Sequence, residues 1–148
     1  MQGAHRARPR TPREQDAGFG SFVAALVERL RAGRRFTVWE SPAINTIATP
    51  TLATDAAQRI WRMLELRRAG VHHCCGAEAV SRTELARRAV AAFGLDGDLL
   101  DTGPPELDGL PGPIPYDTSL DATATGTALG LAPLPLDEQL RRLRAELG

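Results

Sequence analysis

Apolar side chains recur at helical spacing in four stretches of the chain, and each stretch predicts a helix. The first helix is expected over residues 20–32, the second from Thr51 or Thr54 to Arg67, the third over residues 82–93 and the last over residues 136–147. The apolar positions are Phe22, Leu26 and Leu30; Leu52, Ala56, Ile60 and Leu64; Leu85, Ala89 and Phe93; and Leu136, Leu140, Leu143 and Leu147. Because residues three or four apart share one face of a helix, each set forms an apolar stripe.

Short polar motifs mark the ends of these helices. Ser81-Arg82-Thr83-Glu84 is a capping box, in which the serine and the glutamate satisfy the first backbone N–H groups of a helix. In the second helix, Asp55 in the first turn and Arg67 in the last turn match the helix dipole. Gly70 and Gly94 follow the second and third stripes and predict their stops.

Three short segments have the composition of β-strands: Phe36–Trp39, Asn45–Ala48 and Val71–Cys75. The last of them lies between two glycines and predicts a buried strand. Residues 94–119 are rich in glycine, proline and aspartate and predict loops, followed by a short helix within residues 120–129. The order of these elements indicates an α/β fold with few strands, and we expect Trp39 and Trp61 in its core.

The chain divides into a short leading segment and one domain. Residues 1–18 contain arginine and proline without apolar periodicity and predict a flexible lead, whereas residues 19–148 form the domain. The lead has no apolar region typical of a secretory signal, and no run of residues is long and apolar enough to span a membrane. We therefore expect a cytoplasmic protein that does not interact with membranes.

The charged residues exclude several classes of function. The chain has 18 basic and 18 acidic residues, and all the basic residues are arginines. This balance argues against a general nucleic-acid-binding protein. Chemistry that requires a lysine, such as a Schiff base, is excluded from this chain. Adjacent Cys74 and Cys75 cannot link distant segments, so nothing suggests an oxidising compartment.

No set of residues in the sequence forms a recognisable catalytic or metal site. Neighbouring residues of a strand point to opposite faces, so at most two of the four side chains in His72-His73-Cys74-Cys75 could reach one metal ion. Ser81 and Ser119 do not lie in a Gly-x-Ser-x-Gly motif, and Ser81 is already assigned as a helix cap. The acidic residues at 96, 98 and 101 are expected to be solvated.

Six short segments together carry a resemblance to a known family. They are Ser21–Val23, Ala48–Thr51 with Asp55–Ala57, Gly70–His73 with Gly76, Val80–Ala86, Pro115–Asp121 and Leu129–Gly130. In this order and spacing, over residues 19–147, they resemble the C-terminal half of dTDP-4-dehydrorhamnose reductase-like and NAD-dependent epimerase-like sugar-nucleotide enzymes. These enzymes form part of the extended short-chain dehydrogenase/reductase superfamily.

The resemblance implies the C-terminal part of that fold, with four to five helices and few short strands, and without the N-terminal Rossmann half. In the family, the Rossmann half holds NAD(P) and carries a catalytic Tyr-x-x-x-Lys pair, so no catalytic or cofactor-binding residue can be assigned to this chain. The resemblance places Glu40, Asn45, Thr46 and Thr49 near the nucleotide-sugar substrate. The Thr-Pro motif at residue 49 is equally consistent with a simple helix start. The sequence also departs from the family by having Ile114 where Arg is expected and by lacking an acidic-Gln pair before this motif.

Two functions from different classes remain open. The first is the substrate-binding portion of a sugar-nucleotide reductase or epimerase, inactive alone, which is either truncated in its gene or acts beside a separate Rossmann-domain chain. The alternative is a non-catalytic interaction or regulatory subunit, a role that a relative of this family has in methionine adenosyltransferase. A third hypothesis is that the chain is a gene remnant that does not fold stably. The sequence itself does not determine which sugar nucleotide is bound.

Overall fold

The computed structural model describes residues 19–105 and 114–148 and contains five α-helices and four short β-strands in these ranges. The helices are α1 (Phe19–Arg31), α2 (Ala53–Glu65), α3 (Arg82–Phe93), α4 (Thr123–Leu129) and α5 (Leu136–Leu147). The strands are β1 (Phe36–Trp39), β2 (Ile47–Ala48), β3 (Val80–Ser81) and β4 (Leu100–Gly103). The predicted α/β fold with few strands is confirmed, whereas the predicted lead over residues 1–18 lies outside the described residues.

The strands form two separate pairs. β1 pairs in parallel with β4, so that Phe36 lies opposite Leu100. β2 pairs in antiparallel orientation with β3, and Ile47 also forms an isolated parallel bridge with Asp117. Strand β3 leads directly into α3. Since β2 pairs with both β3 and Asp117, it links the segment around residue 117 to the start of α3.

The apolar core lies between α1, α3, α5 and β1. Its buried members are Val23, Leu26, Val27, Leu30, Val38, Leu85, Ala86, Ala89, Phe93, Leu136 and Leu140. At its border, Phe22 and Phe36 pack edge to face with ring centroids 5.6 Å apart. The stripes predicted for α1 and α3 and the first half of the α5 stripe therefore face the core, as amphipathic helices do when their apolar faces meet.

The predicted ends of α3 are also confirmed. The Ser81 hydroxyl accepts a hydrogen bond from the Glu84 backbone N–H at 3.1 Å. At the other end, Gly94 adopts a left-handed conformation with φ of 63°. A glycine takes this conformation without the steric penalty that a Cβ would impose, so it ends the helix.

The apolar stripe predicted for α2 is wrong over its second half. Ile60 and Leu64 are exposed, whereas Asp55 and Arg59 are buried on the opposite side of the helix. Arg59 is 1% exposed, and its Nε donates to Asp55 Oδ2 at 2.8 Å. Its terminal nitrogens donate to the carbonyl oxygens of Leu131 and residue 132, which follow α4. A buried guanidinium must have its hydrogen bonds satisfied, and Arg59 finds its acceptors on the inner side of α2. The polar side of the helix therefore faces inward.

The chain after α2 also differs from the prediction. The described structure has no strand at Val71–Cys75, where only Cys75 is buried. Trp39 and Trp61 are exposed rather than in the core. Strand β4 lies inside the region predicted as loops, because its pairing with β1 supplies hydrogen bonds that the local sequence does not indicate.

The helices in the described parts of the chain are short. None of them is both long and apolar enough to cross a membrane.

Candidate functional site

Polar side chains gather where β1 ends, β2 begins and α3 starts. We define Glu40, Asn45, Arg82, Thr83 and Thr118 as the β2-edge cluster. Two of its members, Glu40 and Asn45, are among the four substrate-site residues that the sequence resemblance indicates. The other two, Thr46 and Thr49, lie directly before and directly after β2, beside the cluster.

Glu40 follows directly after β1. Its backbone N–H donates to the Gly103 carbonyl at 2.9 Å, which continues the parallel β1–β4 ladder by one residue. Its exposed carboxylate accepts a hydrogen bond from the Thr83 hydroxyl in the first turn of α3. The strand end and the helix start therefore hold this carboxylate at the surface, where its remaining lone pairs are open to a hydroxyl donor.

Asn45 carries an unsatisfied acceptor. Its amide nitrogen donates to the Thr118 hydroxyl, and its backbone carbonyl accepts from Arg82 Nε at 2.5 Å. Its side-chain oxygen Oδ1 is buried and has no hydrogen-bond partner in the part of the chain that the structure describes. A buried acceptor without a donor costs about 1–3 kcal/mol of stability.

Thr46 and Thr49 hold neighbouring segments together. The Thr46 hydroxyl donates to the Ser41 carbonyl at 3.1 Å, and its backbone N–H donates to the Tyr116 carbonyl at 2.9 Å. The Thr49 hydroxyl donates to the Leu120 carbonyl at 3.1 Å and accepts from the Leu120 N–H at 2.9 Å. Both hydroxyls thus bind backbone groups, and the Thr46 N–H and the Thr49 hydroxyl fix residues 116 and 120 beside β2.

The two charged residues Arg82 and Asp117 differ in their exposure to solvent. Arg82 is half-buried, and this burial lowers the pKa of its guanidinium from its usual value, although an arginine remains charged at neutral pH. Asp117 is exposed, and the hydrogen bonds that it accepts from Ser119 lower its pKa. The arrangement combines hydrogen-bond acceptors with one cation. These are groups that can hydrogen-bond a polar ligand.

Two side chains of the His72–Cys75 run contact backbone carbonyls of residues 120 and 121. His73 Nδ1 lies 3.1 Å from the Asp121 carbonyl, and the Cys75 thiol donates to the Leu120 carbonyl at 3.6 Å. Burial raises the pKa of the Cys75 thiol, which disfavours the thiolate form that binds metals. Within residues 19–105 and 114–148, no group of three or more His, Cys, Asp or Glu side chains is placed to hold a metal ion.

The acidic residues of the predicted loop have structural contacts. Asp101 accepts hydrogen bonds from Arg35 at 3.0 Å to both carboxylate oxygens, which joins the start of β1 to β4. The Asp96 carboxylate accepts from the Asp98 N–H at 2.9 Å and caps the short turn before β4. These contacts give the Asp96 and Asp101 carboxylates structural roles.

Sequence reasoning missed three members of the cluster, Arg82, Thr83 and Thr118. Arg82 and Thr83 were assigned only to a capping box, although the two middle positions of such a box are free to point toward a neighbouring strand. Thr118 lies in a segment whose partner, β2, is about 70 residues away in the sequence. No local signal identifies a contact of that range.

Sequence comparisons identify no relatives. No protein-family model matches the chain, and no curated protein matches its sequence.

Solved structures, in contrast, match most of the chain. A crystal structure of a hypothetical dTDP-4-dehydrorhamnose reductase from Sulfolobus tokodaii is 30% identical, with a TM-score of 0.62, and the match covers 78% of this chain and 40% of that one. The dTDP-4-dehydrorhamnose reductase from Bacillus anthracis in complex with NADP is 17% identical over 84% of this chain and 43% of that one, with a TM-score of 0.69. UDP-N-acetylglucosamine 4-epimerase from Bacillus cereus is 17% identical over 85% of this chain and 42% of that one, with a TM-score of 0.59.

These matches confirm the resemblance that the sequence motifs predict. The chain has the fold of part of the dTDP-4-dehydrorhamnose reductases and related epimerases. It spans about two fifths of the length of these structures, so its fold corresponds to a portion of theirs.

Proposed function

Because the chain has the fold of part of the dTDP-4-dehydrorhamnose reductases, we propose that it is the sugar-nucleotide-binding portion of an NAD(P)-dependent oxidoreductase or epimerase. The observation that carries this proposal is the match to the Sulfolobus tokodaii structure, which combines a common fold with 30% identity over 78% of the chain. The chain would bind the substrate but would be inactive alone, in agreement with the absence of lysine from its sequence.

The β2-edge cluster supplies groups that suit a hydroxyl-rich ligand. The exposed Glu40 carboxylate keeps lone pairs for a sugar hydroxyl, and the Asn45 Oδ1 atom is an acceptor without a donor. Thr46 and Thr49 would act by positioning the 116–120 segment that borders the ligand, since the Thr46 N–H binds the Tyr116 carbonyl and the Thr49 hydroxyl binds the Leu120 backbone. A site built to hydrogen-bond a hydroxyl discriminates strongly against ligands that lack it.

The cofactor would bind outside this chain. The Bacillus anthracis reductase is in complex with NADP, and this chain spans 43% of it. We propose that NAD(P) and the proton donor are supplied by a Rossmann-type domain in a separate protein, which would place the nicotinamide next to the sugar. The role of the present chain would then be to orient the substrate for hydride transfer.

A titration with sugar nucleotides tests this proposal. With ¹⁵N-labelled protein, dTDP-glucose is expected to shift the amide signals of residues 45–49 and 116–120 in NMR spectra. E40Q and N45A are expected to weaken binding at least tenfold, whereas E28Q, an exposed change on α1, should leave it unchanged. NADPH oxidation with a dTDP-4-keto sugar should not occur with the chain alone. The absence of shifts, shifts confined to other elements, or turnover by the chain alone would contradict the proposal.

A non-catalytic interaction subunit is the second candidate. The observation that favours it is the set of large apolar side chains that α2 leaves exposed, at Ile60, Trp61 and Leu64. Monomeric soluble proteins rarely expose contiguous apolar patches, and those that do often use them to bind another protein. This candidate predicts a partner that is not a nucleotide-binding oxidoreductase.

A further inference from the structure

We propose that Met63, His72 and Cys74 form a binding site for Cu(I). The ligands of the ion would be the two sulfur atoms and one imidazole nitrogen. The site lies where the end of α2 meets the segment that follows it, and it shares no residue with the β2-edge cluster. This inference therefore goes beyond the proposed function and does not depend on it.

The sulfur atoms of Met63 and Cys74 are in direct contact. Met63 lies in the last turn of α2, and its Sδ atom is 3.5 Å from the Cys74 Sγ atom. Two atoms that each bind one ion at about 2.3 Å are roughly 3.8 Å apart when the angle at the ion is tetrahedral. The two sulfurs therefore have to separate by only a few tenths of an ångström to receive an ion. The unbranched methionine side chain, with its three rotatable bonds, permits this movement.

His72 can supply the third ligand from the same short segment. Its Nε2 atom is 3.2 Å from the Ala69 carbonyl oxygen, and its Nδ1 atom has no hydrogen-bond partner among the described residues. With Nε2 assigned as the donor to that carbonyl, Nδ1 carries a lone pair. Metal-binding histidines in proteins commonly have this arrangement, in which a backbone carbonyl fixes the tautomer and the other ring nitrogen binds the metal.

The backbone brings the histidine and the methionine to the same place. Ala69, which contacts the His72 ring, directly follows Arg68, and the Arg68 N–H donates to the Met63 carbonyl at 3.0 Å. The side chains of Met63, His72 and Cys74 are all partly exposed, so an ion can reach them from solvent. The turn after α2 thus gathers two sulfurs and an imidazole at one point of the surface.

The chemistry of these ligands selects copper in its reduced state. Thiolate and thioether sulfurs are soft ligands that favour Cu(I), and imidazole also binds copper, whereas Mg²⁺ and Ca²⁺ prefer oxygen. Structural zinc sites use four Cys or His ligands, and a thioether is not among them. On binding, the ion takes the place of the proton on the Cys74 thiol, and the proton passes to solvent. Copper remains Cu(I), so the step requires no oxidant or reductant.

The neighbouring cysteine provides a matched control. Cys75 is buried, and its thiol donates to the Leu120 carbonyl at 3.6 Å, so it is engaged on a different contact from Cys74. A general affinity of thiols for copper would involve both cysteines. The proposed site involves Cys74 alone.

Competition for Cu(I) against the chelator bicinchoninate tests the proposal on the full chain, without oxygen and with ascorbate present. We expect one Cu(I) per chain. C74S is expected to weaken binding at least a hundredfold, and M63L and H72Q at least tenfold each, whereas C75S should change it less than twofold. Copper X-ray absorption of the loaded protein should show two sulfur neighbours and one nitrogen neighbour. Matching ¹⁵N NMR spectra of the metal-free variants establish that each variant is folded.

The other outcomes would overturn the proposal. An equal loss of affinity in C74S and C75S, or two ions per chain, would assign binding to the adjacent thiols. Unchanged affinity in M63L would show that the thioether is not a ligand. Tighter binding of Zn²⁺ than of Cu(I), or no binding of Cu(I) in competition with the chelator, would also contradict the site.

Discussion

Two regions of the molecule have the same apolar periodicity in the sequence but opposite arrangements in the structure. In α1 and α3, the apolar stripe is buried in the core. In α2, the apolar stripe is largely exposed and an Asp–Arg pair is buried instead. Periodicity therefore shows that a helix has an apolar face, but it does not show whether this chain or another molecule covers that face.

The largest loss of stability is expected for R59A, which removes the buried cation of α2. R59A leaves the Asp55 carboxylate buried without its partner and removes two bonds to backbone carbonyls. Breaking a buried ion pair in this way costs about 3–5 kcal/mol. R62A is the matched control on the exposed side, where the Arg62–Glu65 pair contributes about 0.2–1 kcal/mol. Urea unfolding measures both, and equal losses would show that the buried pair does not orient α2.

A direct comparison of the two stripes uses one leucine from the apolar stripe of α3 and one from that of α2. L85A removes a fully buried side chain from the core, which typically costs about 2–5 kcal/mol. L64A changes a side chain that is 66% exposed, and surface changes of this kind stay within about 0.5 kcal/mol. The free energy of unfolding of the isolated chain distinguishes the two. A loss of stability in L64A as large as in L85A would mean that the α2 stripe is buried within this chain.

The junction between the two regions depends on a close approach at Gly76. A Cβ at this position would overlap the Gln139 side chain and the Pro50 carbonyl. G76A is therefore expected to cost about 1–3 kcal/mol, as overpacking does. G97A is the control, because its Cβ would meet only Val90 at an ordinary 3.8 Å. If thermal unfolding shows equal melting temperatures for G76A and the natural chain, the close approach does not constrain the junction.

The smallest effect concerns an ion pair at the edge of the core. Hydrogen bonds from Arg88 and from the Leu136 N–H lower the pKa of the Glu78 carboxyl below its usual 4.5. A carboxylate with a lowered folded-state pKa stabilises the protein above pH 4.5, and this contribution is lost as the pH falls through the folded-state value. E78Q should therefore reduce the loss of stability between pH 5 and pH 3, by no more than about 1 kcal/mol for a partly exposed pair. An unchanged pH profile would contradict this assignment.

The predictability of the candidate site follows the range of the contacts that form it. The Ser81 cap and the Gly94 stop are local and were predicted correctly from four or five consecutive residues. Glu40 and Asn45 were identified only by family resemblance, and their partners Thr83 and Thr118 are 43 and 73 residues away. Such pairs depend on how β1, β2 and α3 meet, which no short sequence window contains.

The sequence alone determined the position of the helices, the α/β class and the resemblance to dTDP-4-dehydrorhamnose reductases, because helix periodicity, caps and motif order are properties of neighbouring residues. Only the tertiary structure decided which side of α2 is buried, that Val71–Cys75 is not a strand, and that β4 pairs with β1. The physical reason is that the hydrogen-bond partners of a polar group can come from residues that are distant in the sequence. Arg59 is buried because carbonyl oxygens 72 and 73 residues away accept its bonds, and Val71–Cys75 forms no strand because its backbone makes no ladder of hydrogen bonds with another segment of the described chain.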